Sequence, residues 1–431
     1  MKPRIRASEQ TRKRLEDLFA GQGEAGNERS DLVKLATRLI IEEALESEVE
    51  EQLGRGYYAH GGGAGHRNGY RHGDLATAEG RIAYAVPQVR GMLAPYRSEV
   101  RHALADGRTE ELERLAIEMY ARGLSVRDIE RAFTDAGGEC VLSKSAVSQL
   151  SERLWADYQD FAGRDLREFE VLYLFVDGIA EKLHLGQPRE AVLAAWGITR
   201  AGHKVLLGLA PGTKEDTASC RDFLRDLKSR GLPEPILVAT DGAPGLIRAV
   251  EEVFPQSLRQ RCLAHKIRNL QSKVPADSWR EVKARALAAY QAASPMLSEF
   301  AREEFVKRFE RELPTATACF LDDFPACVAQ LRLPIAHRRV IRTTNLLERL
   351  FLEERRRTKV IPHAFGERAV LKLMYASLIR ASQTWRKVVI SEFELKQIDD
   401  LQADLIQEFK QRTAATVSSA SRPRIYSREK T

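Results

Sequence analysis

The stretch EVLYLFVDGIAEKLH, residues 170–184, is a run of apolar and β-branched residues that stops at an Asp-Gly pair, Asp177-Gly178. Residues 235–242, PILVATDG, repeat the pattern and end on Asp241-Gly242. Continuous apolar runs of this length, bounded by turn residues, predict buried strands. Between them, AVLAAWGITRAGHKVLLGLAPG (191–212) predicts two further strands around a turn at Ala201-Gly202, and SCRDFLRDLKSRG (219–231) predicts an amphipathic helix closed by Gly231. Strand, strand, strand, helix, strand opens a mixed α/β sheet. An acid at the C-terminal end of a buried strand is costly unless it ligates something or finds hydrogen bonds, and ligands of α/β sheets gather beyond those ends. If the two strands are neighbours, Asp177 and Asp241 face one space. Each Asp-Gly read alone is simply a turn.

Outward from this core the texture is helical. Residues 278–293, 298–313 and 317–333 all read as helices, with no strand signal from about 275 to 340. Then comes IRTTNLLERLFLEERRRTKV, 341–360, a Thr-Thr-Asn cap ahead of an apolar stripe. At about 100° per residue, Leu347, Leu350 and Phe351 make its core face, and Glu348 falls at the edge of that face. Glu348 then either completes a three-carboxylate site or meets Arg355 on a solvated edge. Three carboxylates at a sheet edge suit Mg²⁺, and two such ions about 4 Å apart suit an in-line phosphoryl transfer. Residues 338–359 hold eight Lys or Arg and three Glu. Of these, Arg355, Arg356, Arg357 and Lys359 form a run suited to backbone phosphates.

N-terminal to the sheet, residues 31–53 carry a helical apolar stripe that includes Leu39, Ile40, Leu45 and Val49, read as packing within its own domain. HGGGAGHRNGYRHG (60–73) reads as a glycine-rich loop, in which Arg67 and Arg71 can follow a phosphate backbone; GRIAYAVPQVRG (80–91) alternates as a short strand. Residues 109–123, 125–133 and 143–155 read as three capped helices around a tight turn and a loop. That is the layout of a helix-turn-helix and equally of an ordinary three-helix bundle. Its last helix presents Lys144, Ser145, Ser148 and Gln149, side chains suited to phosphates and base edges.

The chain has 431 residues, a net charge of +7 and a sequence pI of about 9.1, a balance that suits a polyanion partner. Five scattered cysteines fit a reducing cytoplasm better than a disulfide framework. The opening MKPRIRASEQTRKRLEDLF is basic without the apolar core of a signal peptide, and no apolar run is long enough for a bilayer. The expected setting is cytoplasmic, with no membrane partner.

FVDG, TDG, RCLAHKIRNL, TTNLLERLFLEERRRTKV, PHAFGERAVLKLMYASL and a late Trp385 resemble the mutator-type transposases of bacterial insertion sequences, as do EEALESEVEEQLGRG, HRNGYRHG and EMYARGLSVRDIERAF. The resemblance covers nearly the whole chain up to about residue 405. It implies an RNase H-like (retroviral-integrase-like) core with catalytic Asp177, Asp241 and Glu348, interrupted by an all-α insertion domain. The organisation expected is an N-terminal helical and loop region for DNA ends or dimerisation (1–100), a helix-turn-helix-like domain (101–165) and the first part of the core (166–272). The insertion (273–340), the second part of the core (341–410) and a disordered basic tail (411–431) follow. Cys262 and His265 match the family's Cys-x-x-His signature. As residues they are half a zinc site with no second half nearby, so they are expected to shape the active-site edge or touch DNA; a buried Cys beside a surface His is the plainer alternative.

The expected function is DNA transposition. Terminal inverted repeats are bound, a Mg²⁺-dependent cleavage frees a 3′-hydroxyl, and that hydroxyl joins a second strand directly. Two Mg²⁺, replaceable by Mn²⁺, sit on the acids, the protein pairs two ends as a homodimer, and it is nucleoid-associated when bound. The family suggests a donor-copying route through a circular intermediate. The alternatives are a catalytically inactive DNA-binding relative acting as a repressor, and a structure-selective nuclease of the same fold.

Overall fold

The computed structural model describes residues 5–20, 28–59, 65–92, 96–122, 124–134, 138–181, 189–211, 217–344 and 366–420. The chain divides into two compact units, Met1–Leu154 and Trp155–Thr431.

The first unit opens with α1 (Ala7–Phe19) and α2 (Glu28–Leu53), followed by β1 (His66–Thr77) and β2 (Gly80–Arg90), α3 (Glu99–Ala103), α4 (Glu110–Ala121), α5 (Val126–Ala132) and the first half of α6 (Lys144–Gly163). Residues 66–73 are thus strand rather than the loop expected from their glycines. They pair antiparallel with β2 in a hairpin, with a register irregularity between Arg67 and Tyr70. Glycine weakens a strand but does not forbid one, and Leu75 on β1 and Tyr84 and Val86 on β2 pack with Ile41 and Leu45 of α2.

The acidic face of α2 is also used. Glu42 and Glu46 are buried. Glu42 accepts from Thr11 Oγ1 at 2.6 Å and from Ala85 N at 2.9 Å. Glu46 accepts from Ala7 N, Ser8 Oγ and Tyr70 OH at 3.1, 2.6 and 2.7 Å. A stripe-only reading of this helix misses these carboxylates, which tie α1 and the hairpin to α2. Farther on, α4, α5 and the start of α6 bury Leu112, Ala116, Ile129, Val147 and Leu150 together. Caps from Thr109 and Ser125 begin α4 and α5, Ser125 forming a full capping box with Asp128.

The second unit is built on a five-stranded sheet. Its strands are β3 (Val171–Glu181), β4 (Glu190–Thr199), β5 (Lys204–Pro211), β6 (Leu237–Thr240) and β7 (Leu258–Arg261), in the order β5-β4-β3-β6-β7. β3 is antiparallel to β4 and parallel to β6, and β6 is parallel to β7. One face buries Leu174, Val176 and Val238 against α7 (Thr217–Ser229) and α8 (Pro244–Val253). The other buries Tyr173, Phe175 and Trp196 against α14 (Ile335–Ile341), α15 (Glu367–Gln383) and α16 (Glu392–Ala420), among other elements.

A separate cluster closes the helical region. It joins α9 (Leu263–Gln271), α10 (Trp279–Tyr290), α11 (Pro295–Phe309), α12 (Pro314–Leu321) and α13 (Phe324–Cys327) around Tyr290, Phe305 and Phe320. This all-helical stretch matches the expected block, with two corrections. The helix read over 317–333 breaks at Asp322-Asp323, where Asp323 adopts φ +55° and Pro325 follows inside α13. The tail expected from residue 411 is helical through Ala420, as the last part of α16. Among the described residues no helix is long and apolar enough to cross a membrane.

Candidate active site

The parallel ladder between β3 and β6 ends at the rung Val176–Thr240. Asp177 is the next residue on β3 and Asp241 the first residue past β6, so the fold brings the two acids to the same level. β3 does not stop there, as its apolar run suggested. It continues to Glu181 paired only with β4, on which Asp177 faces Ala194. Asp177 therefore stands in mid-strand, where β3 loses its parallel neighbour. It is 4% exposed, and its Oδ1 lies 3.0 Å from the Gly178 amide. Asp241 is half-buried and accepts from the Ala243 amide at 2.9 Å, an Asx-type turn that leads into α8.

Gly242 takes φ +92°, and a Cβ there would lie 2.5 Å from Arg261 Nε. The guanidinium of Arg261 thus lies against the turn that carries Asp241. β7 was not legible in the sequence, because LRQR is short and polar. Its arginines find acids across the helical region: Arg259 pairs with Asp323, and Arg261 pairs with Asp322 at 2.6 Å. Lys266, fully buried, donates to the Asp322 carbonyl and lies 3.6 Å from that residue's carboxylate. Burial pushes the Lys266 ammonium below its usual range. These cations fasten the α12–α13 corner to the strand next to Asp241.

Cys262 follows β7, level with the end of β6 that leads into Asp241. Its amide donates to the Thr240 carbonyl at 2.7 Å. Its thiol, fully buried, accepts from the amide and hydroxyl of Thr344 at 3.3 and 3.4 Å. Burial alone would push this thiol up; hydrogen bonds from His265 and Thr344 outweigh it and hold the thiol below its ordinary range. Cys262 is thus buried between β7 and α9, and His265 is half-buried on the first turn of α9. Arg261 was not singled out from the sequence, and Gly242 and Thr344 were read only as parts of a turn and a helix cap; local pattern carries no signal for contacts this distant.

Glu348, Arg355, Arg356, Arg357 and Lys359 lie outside the described residues. Among the described residues no group of three His, Cys, Asp or Glu is arranged for a metal ion. In the first unit, Lys144, Ser145, Ser148 and Gln149 are all exposed on α6, while Val147 and Leu150 turn into the core. The α4–α5 link is four residues, and a longer one, with a Thr134–Cys140 bridge, leads to α6. The four polar side chains thus occupy the outward face of the last helix of a helix-turn-helix-like trio.

A family model described as "Transposase, Mutator family" matches residues 9–388. The transposase for insertion sequence element IS6120 of Mycolicibacterium smegmatis is 33% identical over 63% of this chain and 84% of its own length. That for ISRM5 of Rhizobium meliloti is 29% identical over 82% of this chain and 89% of its own. That for IST2 of Acidithiobacillus ferrooxidans is 30% identical over 64% of this chain and 95% of its own.

Proposed function

We propose a function from a premise that the comparisons establish: the chain belongs to the Mutator family of transposases. Its role is that of an insertion-sequence transposase, with DNA as partner. The finer reading is a DDE-type enzyme on an RNase H-like core. The strand order β5-β4-β3-β6-β7, the mixed pairing about β3 and the helical body between Asp241 and the 341–360 segment all support that core. The observation that carries the reading is the placing of Asp177 and Asp241 at the same level on adjacent parallel strands.

The carboxylates fit a hard divalent cation. They are hard oxygen donors at one sheet edge, oriented there by turn contacts with the Gly178 and Ala243 amides. Asp177 and Asp241, with Glu348 as third ligand, would hold two Mg²⁺, and Mn²⁺ would serve in their place. When bound, the ions neutralise charge on the attacking and leaving oxygens of a phosphoryl transfer. The reaction is hydrolysis of a phosphodiester at the transposon end, which frees a 3′-hydroxyl. That hydroxyl then attacks a second phosphodiester, with no bond to the protein. The chain's own part is positioning. The buried strands hold the two aspartates rigidly, and the Asp241 turn is fixed by Ala243 and Arg261. Lys144, Ser145, Ser148 and Gln149 read the inverted repeat, and Arg355, Arg356, Arg357 and Lys359 hold the backbone. Two ends call for two copies of the chain.

The test is a labelled DNA carrying the element's end, incubated in Mg²⁺ or Mn²⁺ with wild type, Asp177→Asn, Asp241→Asn and Glu348→Gln. The wild type nicks and joins strands, and each variant binds the end but does neither. If Asp177→Asn or Asp241→Asn cuts as well as wild type, the acid pair is not the site. If Glu348→Gln alone stays active, the third ligand lies elsewhere.

A further inference from the structure

Cys262 is fully buried, follows β7 and sits where a strand end meets the returning chain. Four hydrogen bonds meet around it. Its amide is held by the Thr240 carbonyl, one residue before Asp241, at 2.7 Å. Its sulfur takes both donors of Thr344, at 3.3 and 3.4 Å. The next amide, Leu263, donates to the Arg342 carbonyl at 2.9 Å. Thr344 is itself fully buried. A buried threonine whose amide and hydroxyl both point at one sulfur has few other ways to satisfy them, and an unmet buried donor is destabilising. The contact therefore fixes where the chain re-enters the sheet edge after the helical region, 82 positions on from Cys262. Glu348 follows Thr344 by four positions in the sequence.

We propose that Cys262 is a positioning residue: through Thr344 it sets the register of the re-entering chain against the strand that carries Asp241. The thiol does no chemistry on DNA. It serves as a soft, large acceptor that two donors can share, which a smaller hydroxyl oxygen reproduces only in part. His265 reaches the same thiol with a hydrogen bond. This inference rests on the transposase reading for its effect on catalysis, but its structural half stands apart from that reading.

The experiment compares full-length wild type, Cys262→Ala, Cys262→Ser, Thr344→Val and the Cys262→Ala/Thr344→Val double variant. One readout is amide hydrogen exchange of peptides covering residues 341–344, which needs no activity. The other is the Mg²⁺ concentration that half-saturates cleavage of end DNA, beside end binding and thermal stability. Cys262→Ala is expected to speed exchange at 341–344 at least tenfold, and to raise the half-saturating Mg²⁺ at least fivefold with end binding kept. Cys262→Ser should recover part of both, and the double variant should be little worse than either single one, because both remove the same contact. Unchanged exchange in Cys262→Ala overturns the inference whatever the activity. Faster exchange with an unchanged Mg²⁺ requirement overturns its catalytic half, as does an activity loss that only follows the fall in stability. If wild type shows faster exchange on mutation but no Mg²⁺-dependent cleavage at all, the anchor stands and the transposition chemistry proposed above is what fails.

Discussion

Substituting Gly242 by alanine tests the site at its tightest point. The residue follows Asp241, holds φ +92° and has Arg261 Nε 2.5 Å from where a Cβ would stand. Two costs add. A non-glycine residue at that φ is strained by about 1–3 kcal/mol. The methyl must also open roughly 0.9 Å to reach ordinary contact, which begins near 3.4 Å. Arg261 does not give easily, because its guanidinium is engaged by Asp322 at 2.6 Å and the side chain is buried. The peptide therefore moves, and Asp241 moves with it. A displacement near 1 Å at a catalytic group costs on the order of 10²-fold in rate. The control is Gly366→Ala, in the same unit at φ +108° with nothing within 4 Å of its Cβ position among the described residues, which carries the backbone cost without that clash. Urea unfolding and cleavage of labelled end DNA are measured on both. Gly242→Ala should lose more stability than Gly366→Ala and about a hundredfold in cleavage, while still binding DNA. Wild-type cleavage by a folded Gly242→Ala protein would refute the claim that Arg261 fixes the Asp241 turn.

Other positions give separate tests. Glu46→Ala leaves the Ala7 and Ser8 donors and Tyr70 OH without their acceptor; the N-terminal unit should lose about 2–3 kcal/mol in chemical denaturation, and an unchanged midpoint would show that the buried carboxylate is dispensable. Arg259→Met strands Asp323 in a pair less than 20% exposed on either side, and should cost about 3 kcal/mol, read as a lower midpoint of the second unit. His337 is buried against Tyr173 OH at 2.7 Å, and burial lowers its pKa despite Glu394. The unfolded chain then binds a proton that the folded one refuses, so stability is full above the unfolded pKa and falls as pH drops below it, by at most about 1.4 kcal/mol per pH unit. His337→Gln should flatten that slope between pH 7 and 5; an equal slope in both proteins assigns it elsewhere. Lys144→Ala, exposed at the start of α6, should weaken end binding alike across sequences and reduce the salt slope by about one; a loss confined to one sequence would make Lys144 a base reader.

Much of the second unit was legible from residue pattern. The apolar runs at 171–176 and 236–240, the hairpin at 191–211, the helix at 219–231 and the helical block beyond residue 275 are local features, and local periodicity reports local structure. The two aspartates were legible for the same reason, since an acid inside an apolar run is conspicuous wherever the strand goes. The outward face of α6 was readable too, because Val147 and Leu150 repeat at helical spacing and leave Lys144, Ser145, Ser148 and Gln149 outside.

By itself the sequence determined which segments are apolar, where they are interrupted, and which acids and bases interrupt them. Tertiary structure decided the rest. Only strand pairing showed that Asp177 stands in mid-strand beside the end of β6, since register is a property of two strands and not of one. Only the fold made a strand of LRQR, by giving Arg259 and Arg261 acids more than sixty positions away. Buried α2 glutamates and the Cys262–Thr344 contact belong to the same class. Polar groups taken out of water must find partners, and where they find them depends on what the folded chain brings near, which short-range propensity does not encode.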